Sequence, residues 1–182
     1  MLKQLSSGVA RCEVIIAAGL AGLVTLLILL NITTRSLGYA LYWTDELAIH
    51  SMVWMTFLAT SVVLKRREGI AVTLLVDLFS PRFHAIAKFV VDAIVLFFGG
   101  FLLWLCWRWY DPVALFVSGF DISAFQMDTF NFIYSERTST LGLPKFWSWL
   151  CLPVFSLSLL LHGLVNITDS MADVRAVARE SI

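Results

Sequence analysis

Chemistry in this chain would have to come from a few polar groups set in apolar surroundings. The first is the stretch Trp43-Thr44-Asp45-Glu46-Leu47-Ala48-Ile49-His50, where two adjacent carboxylates stand at the mouth of a hydrophobic segment. Paired carboxylates can serve general acid–base work or a proton relay, but at a segment end they can equally remain hydrated. Thr44 reads as a helix N-cap, with Asp45 and Glu46 in the first turn, where negative side chains suit the positive end of the helix dipole. Asn31 and Arg35 stand one turn apart near the end of the preceding segment. Arg35 either snorkels to phosphate or pairs with these carboxylates, and the expected partner is Glu46. Lys88 and Asp92 are also one turn apart. They either pair along one helix face or meet another subunit.

Other chemistries are thinly represented. Cys12, Cys106 and Cys151 form no CxxC pair and no metal-ligand spacing, and read as small thiols without a redox assignment. Two axial imidazoles of a haem must face each other at one depth. His50 falls near one end of its span, and only His84 with His162 could meet, so haem is not expected. There is no nucleophile elbow, no HExxH, no Gly-rich phosphate loop and no carboxylate cluster at metal spacing. The chain is expected to be neither an enzyme nor a cofactor carrier.

The elements that must position these groups follow from composition. The chain has 182 residues, 59% hydrophobic and 14% charged, against about 25% charged in a soluble domain. Thirteen basic and thirteen acidic residues cancel, so no global field favours nucleic acid. A bilayer core about 30 Å thick needs roughly 20 apolar residues of helix. Four spans are predicted, at about 14–34, 46–64, 86–108 and 146–168, in a single all-α integral membrane domain covering residues 1–182. The first is read as a retained span, since no short apolar region followed by a small-residue cleavage site precedes it.

Lys3, Arg11, Lys65, Arg66, Arg67, Arg82, Lys88, Arg175 and Arg179 cluster on one side of the spans, which places both termini in the cytoplasm. Lys65, Arg66, Arg67 and Arg82 are expected at lipid headgroups. Between the second and third spans, residues 70–80 are too short to cross. Thr73, Asp77 and Ser80 recur there at helical spacing, which predicts a short amphipathic helix in the interface. The connection 111–145 is long and rich in Phe. Such a loop is too aromatic for easy disorder and is expected to pack on something.

Several markers occur in order: Asn31 to Arg35 at the end of span one, Trp43-Thr44-Asp45-Glu46 at the start of span two, LKRREG from Leu64 to Gly69, and Leu141-Gly142-Leu143-Pro144 before span four with Pro153 inside it. Together they resemble the small membrane subunit of tripartite ATP-independent periplasmic (TRAP) transporters, over most of the chain. The family's Trp-x-x-Glu pattern falls on Trp43 and Glu46, and its Asn-x-x-x-Arg pattern on Asn31 and Arg35. A His-Ile pair often following the glycine that matches Gly69 is replaced here by Ile70-Ala71-Val72. The resemblance implies a bacterial inner-membrane complex with a large permease subunit, which holds the sodium and substrate sites, and a periplasmic solute-binding protein that loop 111–145 could meet. It implies import of organic acids or related solutes, with this chain as a scaffold. Asn31, Arg35, Trp43, Asp45, Glu46, Lys88 and Asp92 are then the interface or structural candidates. The competing readings are a haem- or quinone-linked membrane anchor of an oxidoreductase and an unrelated four-span assembly factor. The transported substrate is not legible in this chain.

Overall fold

A computed structural model of the protein describes residues 1–67 and 81–180. Among them are seven helices, and no strand beyond an isolated bridge between Arg137 and Pro144. They are α1 (Leu2–Ser36), α2 (Tyr42–Arg66), α3 (Pro81–Tyr110), α4 (Pro112–Val117), α5 (Ile122–Thr129), α6 (Phe146–Trp149) and α7 (Cys151–Glu180). Four stretches are long and apolar enough to cross a membrane: Leu2–Ser36, Tyr42–Arg66, Arg82–Val117 and Phe146–Arg179. The chain is an all-α, multi-pass membrane protein. The expected interfacial helix at 70–80 lies outside the described residues.

Every long helix runs past its expected apolar limits. The largest difference is in α1, which begins at Leu2 rather than near residue 14. An apolar-run criterion stops at Arg11-Cys12-Glu13, yet the helix continues because Ser6 and Glu13 bury themselves against α7 and Lys3 pairs with Asp169 at 2.6 Å. The last span likewise continues past residue 168 to Glu180.

Four long helices form the bundle. α1 packs on α2, both meet α7, and α3 lies along α7. The α3–α7 contact depends on missing side chains. A β-carbon on Gly99 would sit 3.1 Å from the Leu159 Cβ, and one on Gly163 would sit 3.2 Å from the Leu96 Cδ1. Small residues of this kind let helix backbones approach in lipid, where packing and polar contacts replace hydrophobic transfer as the driving force. Gly19 and Gly22 of α1 have nothing near them. The glycine of the third span thus serves the chain's own bundle, and those of the first span face outward. Leu159, fully buried, lies against Gly99 at the α3–α7 contact, and the Phe57–Phe155 edge contact at 5.1 Å joins α2 to α7.

The connection after α3 is folded upon itself. Asp111 and Asp121 cap α4 and α5 through the Ala114 amide and the Ser123 and Ala124 amides. Phe125 and Ile133 are almost completely buried; the Phe125 ring meets Tyr134, which in turn meets Tyr110 and Phe146, and Trp109 stacks on Trp149 at 4.5 Å. Asn131 Nδ2 donates to the Trp109 carbonyl at 2.6 Å, and the Tyr134 hydroxyl to the Tyr110 carbonyl at 2.7 Å. Burial, with Asp111 nearby, pushes the Tyr134 phenol above its ordinary value, so it stays a donor at neutral pH. The segment expected to pack on something packs on the ends of its own spans.

Candidate functional site: polar joints at the two ends of the bundle

At one end, Gly38 adopts φ +83° and closes α1, so that α2 returns beside it after a short turn. That hairpin sets Asn31 and Arg35 opposite the start of α2. Both reach Asp45: Asn31 Nδ2 donates to Oδ1, and Arg35 Nη2 donates to Oδ2 at 3.0 Å. The expected Arg35–Glu46 pair is therefore corrected to Arg35–Asp45. On a helix, successive residues project about 100° apart, so Asp45 can face α1 only if Glu46 turns away from it.

Glu46 instead meets the turn before α6. Its carboxylate accepts from the amides of Ser139 (2.7 Å), Thr140 (2.7 Å) and Leu141 (3.0 Å), and from the Thr140 hydroxyl (2.5 Å). Three consecutive amides converging on one carboxylate form an anion-binding concavity of the kind that successive backbone N–H groups make. The turn is itself braced, with the Thr138 amide donating to the Leu143 carbonyl and the Lys145 amide to the Glu136 carbonyl. Gly142 at φ +67° permits the reversal. Thr44 lies inside α2 rather than capping it. The N-cap is Leu41, and the buried Thr44 hydroxyl donates back to the Leu41 carbonyl at 2.6 Å. Trp43 remains partly exposed beside these joints.

At the other end, α2 stops with Arg67 in the left-handed region, φ +57°, a conformation that costs a residue with a side chain roughly 1–2 kcal/mol. The turn aims its guanidinium back into the bundle. Arg67 donates to Asp92 through Nε (3.2 Å) and Nη2 (2.5 Å), and Nη2 also reaches the Asn166 carbonyl (2.7 Å) and the Ser170 hydroxyl (2.8 Å). Ser170 Oγ donates to Asp92 as well. Asn166 Nδ2 donates to the Leu64 and Lys65 carbonyls, 3.3 Å each, satisfying the open end of α2. One buried carboxylate thus ties α2, α3 and α7 together through a two-pronged arginine contact, the strongest common ion-pair geometry.

Two expectations change here. Arg67, expected at lipid headgroups, turns its guanidinium to Asp92 and keeps part of its side chain exposed, whereas Arg66 and Arg82 are exposed and Lys65 is half-buried. Lys88 and Asp92 do not pair along one face. Lys88 Nζ contacts Asp173 Oδ2 at 2.6 Å, and Asp92 takes Arg67. A pair one turn apart on a helix is worth only about 0.3–0.5 kcal/mol. Lys88 finds a better-placed partner on α7, and Asp92 finds one at the end of α2. Lys3–Asp169 lies at this same end, so the first and last helices bring both termini there.

A third group has no counterpart among the expected sites. Ser6 Oγ lies 2.8 Å from His162 Nδ1, and His162 Nε2 lies 3.2 Å from Glu13 Oε2. His162 and His84, the two imidazoles considered for haem, are thereby separated in role, since both His162 nitrogens are engaged by α1. The series resembles a hydrolytic triad by residue type. Ser6 is fully buried, however, and closed to a substrate in this structure. The signal that could have found these partners is the polar stripe Ser158, His162, Asn166, Asp169, Ser170 and Asp173 on the last span, at helical spacing.

Comparison with known proteins agrees with this architecture. The sequence model of the family described as "Tripartite ATP-independent periplasmic transporters, DctQ component" matches residues 24–173. The chain is 26% identical over 143 residues to an isethionate TRAP transporter permease protein, DctMQ, of Oleidesulfovibrio alaskensis, covering 74% of this chain and 20% of that protein. It is 25% identical over 97 residues to a putative TRAP transporter small permease protein of Haemophilus influenzae, covering 53% of this chain and 60% of that protein. The chain therefore spans less than two thirds of the length of each.

Proposed function

We propose that this chain, which belongs to the DctQ family of tripartite ATP-independent periplasmic transporters, is a noncatalytic scaffold and assembly subunit. As a TRAP small subunit it works beside a large permease subunit in a bacterial inner membrane, with both termini cytoplasmic, and with a periplasmic solute-binding protein that delivers organic acids or related solutes. Sodium binds in the large partner and drives import. This subunit carries no cofactor. Lys65, Arg66 and Arg82 contact lipid headgroups on the cytoplasmic side, and the folded connection 111–145 faces the receptor.

The observation that carries the reading is where the side chains go. The ionic groups Asp45, Glu46, Arg67, Asp92, Lys88 and Asp173 join one element of the chain to another. The outward faces of α1 and α3 instead present apolar residues such as Ile15, Leu26, Ile94 and Phe97, each more than half exposed. Such a bundle is built to hold its own shape while offering long faces to lipid and to a partner. The match to a much longer permease protein named DctMQ supports a large permease as that partner.

The test is reconstitution of the large permease and the receptor in vesicles, with and without this chain, under an imposed sodium gradient. Uptake is expected only with the chain present. Equal uptake in both preparations, or failure of the chain to copurify with a large permease, would sink the proposal.

A further inference from the structure

Ser6, Glu13 and His162 form a hydrogen-bonded chain between α1 and α7, enclosed by α2. Ser6 is 0% exposed, His162 1% and Glu13 4%. Ser61 of α2 and Ser158 of α7 face the same carboxylate. Even so, Glu13 Oε1 and Ser61 Oγ are buried without a hydrogen-bond partner. A buried carboxylate oxygen left unmatched is costly, and in a membrane-spanning bundle an ionisable group of this kind marks a functional site by default. Ser6 and Glu13 also precede the stretch that matches the family, residues 24–173.

The arrangement admits two charge states with the same heavy-atom positions. In one, the Ser6 hydroxyl donates to a bare His162 Nδ1, and His162 Nε2–H donates to the Glu13 carboxylate. The group then carries one net negative charge in a poorly polarisable interior. In the other, one added proton removes that charge. Placed on Nδ1, it makes the ring an imidazolium that donates to Ser6 Oγ, and only the serine hydroxyl has to rotate. Placed on Oε1, it gives the orphaned oxygen a donor on the side of Ser61.

The charges around the group come from each packed helix. Lys65 of α2 attracts the Glu13 carboxylate and is itself repelled by Arg66 of α2 and Arg11 of α1. One and two turns further along α7, Asn166 and Ser170 are already engaged by Arg67 at the end of α2 and, for Ser170, by Asp92 of α3. No other acidic group among the described residues is hydrogen-bonded to this cluster.

We propose that Glu13 and His162 together form a binding site for one exchangeable proton inside the bundle. The proton exchanges with water at the end that carries Lys3 and Lys65. Because Ser6 and Glu13 sit on α1 and His162 on α7, the loaded, neutral state holds α1 against the bundle more tightly than the unloaded, anionic state.

The experiment uses the full chain, labelled with 15N in its three histidines, in lipid nanodiscs. Imidazole nitrogen shifts are followed from pH 5 to pH 9, with His162 assigned by the signal lost in His162→Gln. The His162 signals are expected to move between protonated and neutral positions within that range. Glu13→Gln is expected to weaken proton binding about tenfold or more, since an adjacent carboxylate favours the charged imidazole. If Glu13→Gln does not fold, Ser6→Ala keeps the carboxylate and removes the hydroxyl that exchanges roles, and the titration is expected to persist with a displaced midpoint. A His162 that stays in one neutral tautomer from pH 5 to pH 9, in the wild type and in whichever variant folds, would overturn the proposal.

Discussion

Asp45 and Glu46 are neighbours in sequence that bind on different sides of one helix: Asp45 receives Asn31 and Arg35 of α1, while Glu46 receives the amides of residues 139–141. A carboxylate pair that could suggest shared acid–base chemistry is instead two separate joints. One closes the α1–α2 hairpin, and the other fixes the turn leading into the last span.

Glu46 holds backbone rather than a side-chain cation, so its replacement should act locally. Glu46→Gln halves the acceptor capacity, and Glu46→Ala leaves three amides and a hydroxyl without their acceptor. Hydrogen exchange followed by mass spectrometry is expected to accelerate at residues 139–141 in the order wild type, Gln, Ala, with little change in α1. Unchanged protection at 139–141 in Glu46→Ala would disprove this role.

Arg35–Asp45 is about half exposed at both side chains, and exposed pairs contribute about 0–1 kcal/mol. Arg35→Ala should therefore leave the thermal unfolding of the isolated chain nearly unchanged. If uptake by the reconstituted system falls while stability holds, the residue acts through a partner. A stability loss of several kcal/mol would show that the bridge carries more of the fold than its exposure allows.

Arg67 and Asp92 behave oppositely, because Asp92 is 4% exposed. Removing one member strands a buried charge, which costs about 3–5 kcal/mol, whereas replacing both with apolar residues is often neutral. Arg67→Met and Asp92→Leu are each expected to lower stability by that amount, and the double variant to recover most of it. Denaturation of the four proteins in a double-mutant cycle measures the coupling. Additive losses would contradict the pairing.

Gly99 and Gly19 test close packing against an open face. Gly99→Val forces a side chain into Leu159, and overpacking of this kind costs about 1–3 kcal/mol. Gly19→Val meets nothing within the chain and should leave its stability alone. Loss of copurification with the large permease in Gly19→Val, with the subunit itself intact, would place the partner on that face of α1.

Much of this protein is set by local sequence. Four apolar runs of spanning length, the basic residues gathered at one set of span ends and the markers from Asn31 to Pro153 were enough to predict an all-α membrane chain and its family, because hydropathy and span length are local properties. The same local view identified Asn31, Arg35, Asp45, Glu46 and Asp92 as groups in need of partners. It could not assign those partners. Same-helix spacing pointed Lys88 to Asp92, and proximity in sequence pointed Arg35 to Glu46. In the fold, the left-handed turn at Arg67, the α3–α7 approach at Gly99 and Gly163, and the turn at 139–141 redirected each one. Glu13 was hidden because an apolar-run criterion ends a span at its first charged residue, and only packing of α1 on α7 supplies His162, itself held by Ser6, to keep it within the bundle. The sequence determined which segments enter the membrane and which polar groups accompany them. Tertiary structure alone decided which of those groups meet, because an ion pair such as Lys3–Asp169 depends on crossing geometry between helices from opposite ends of the chain.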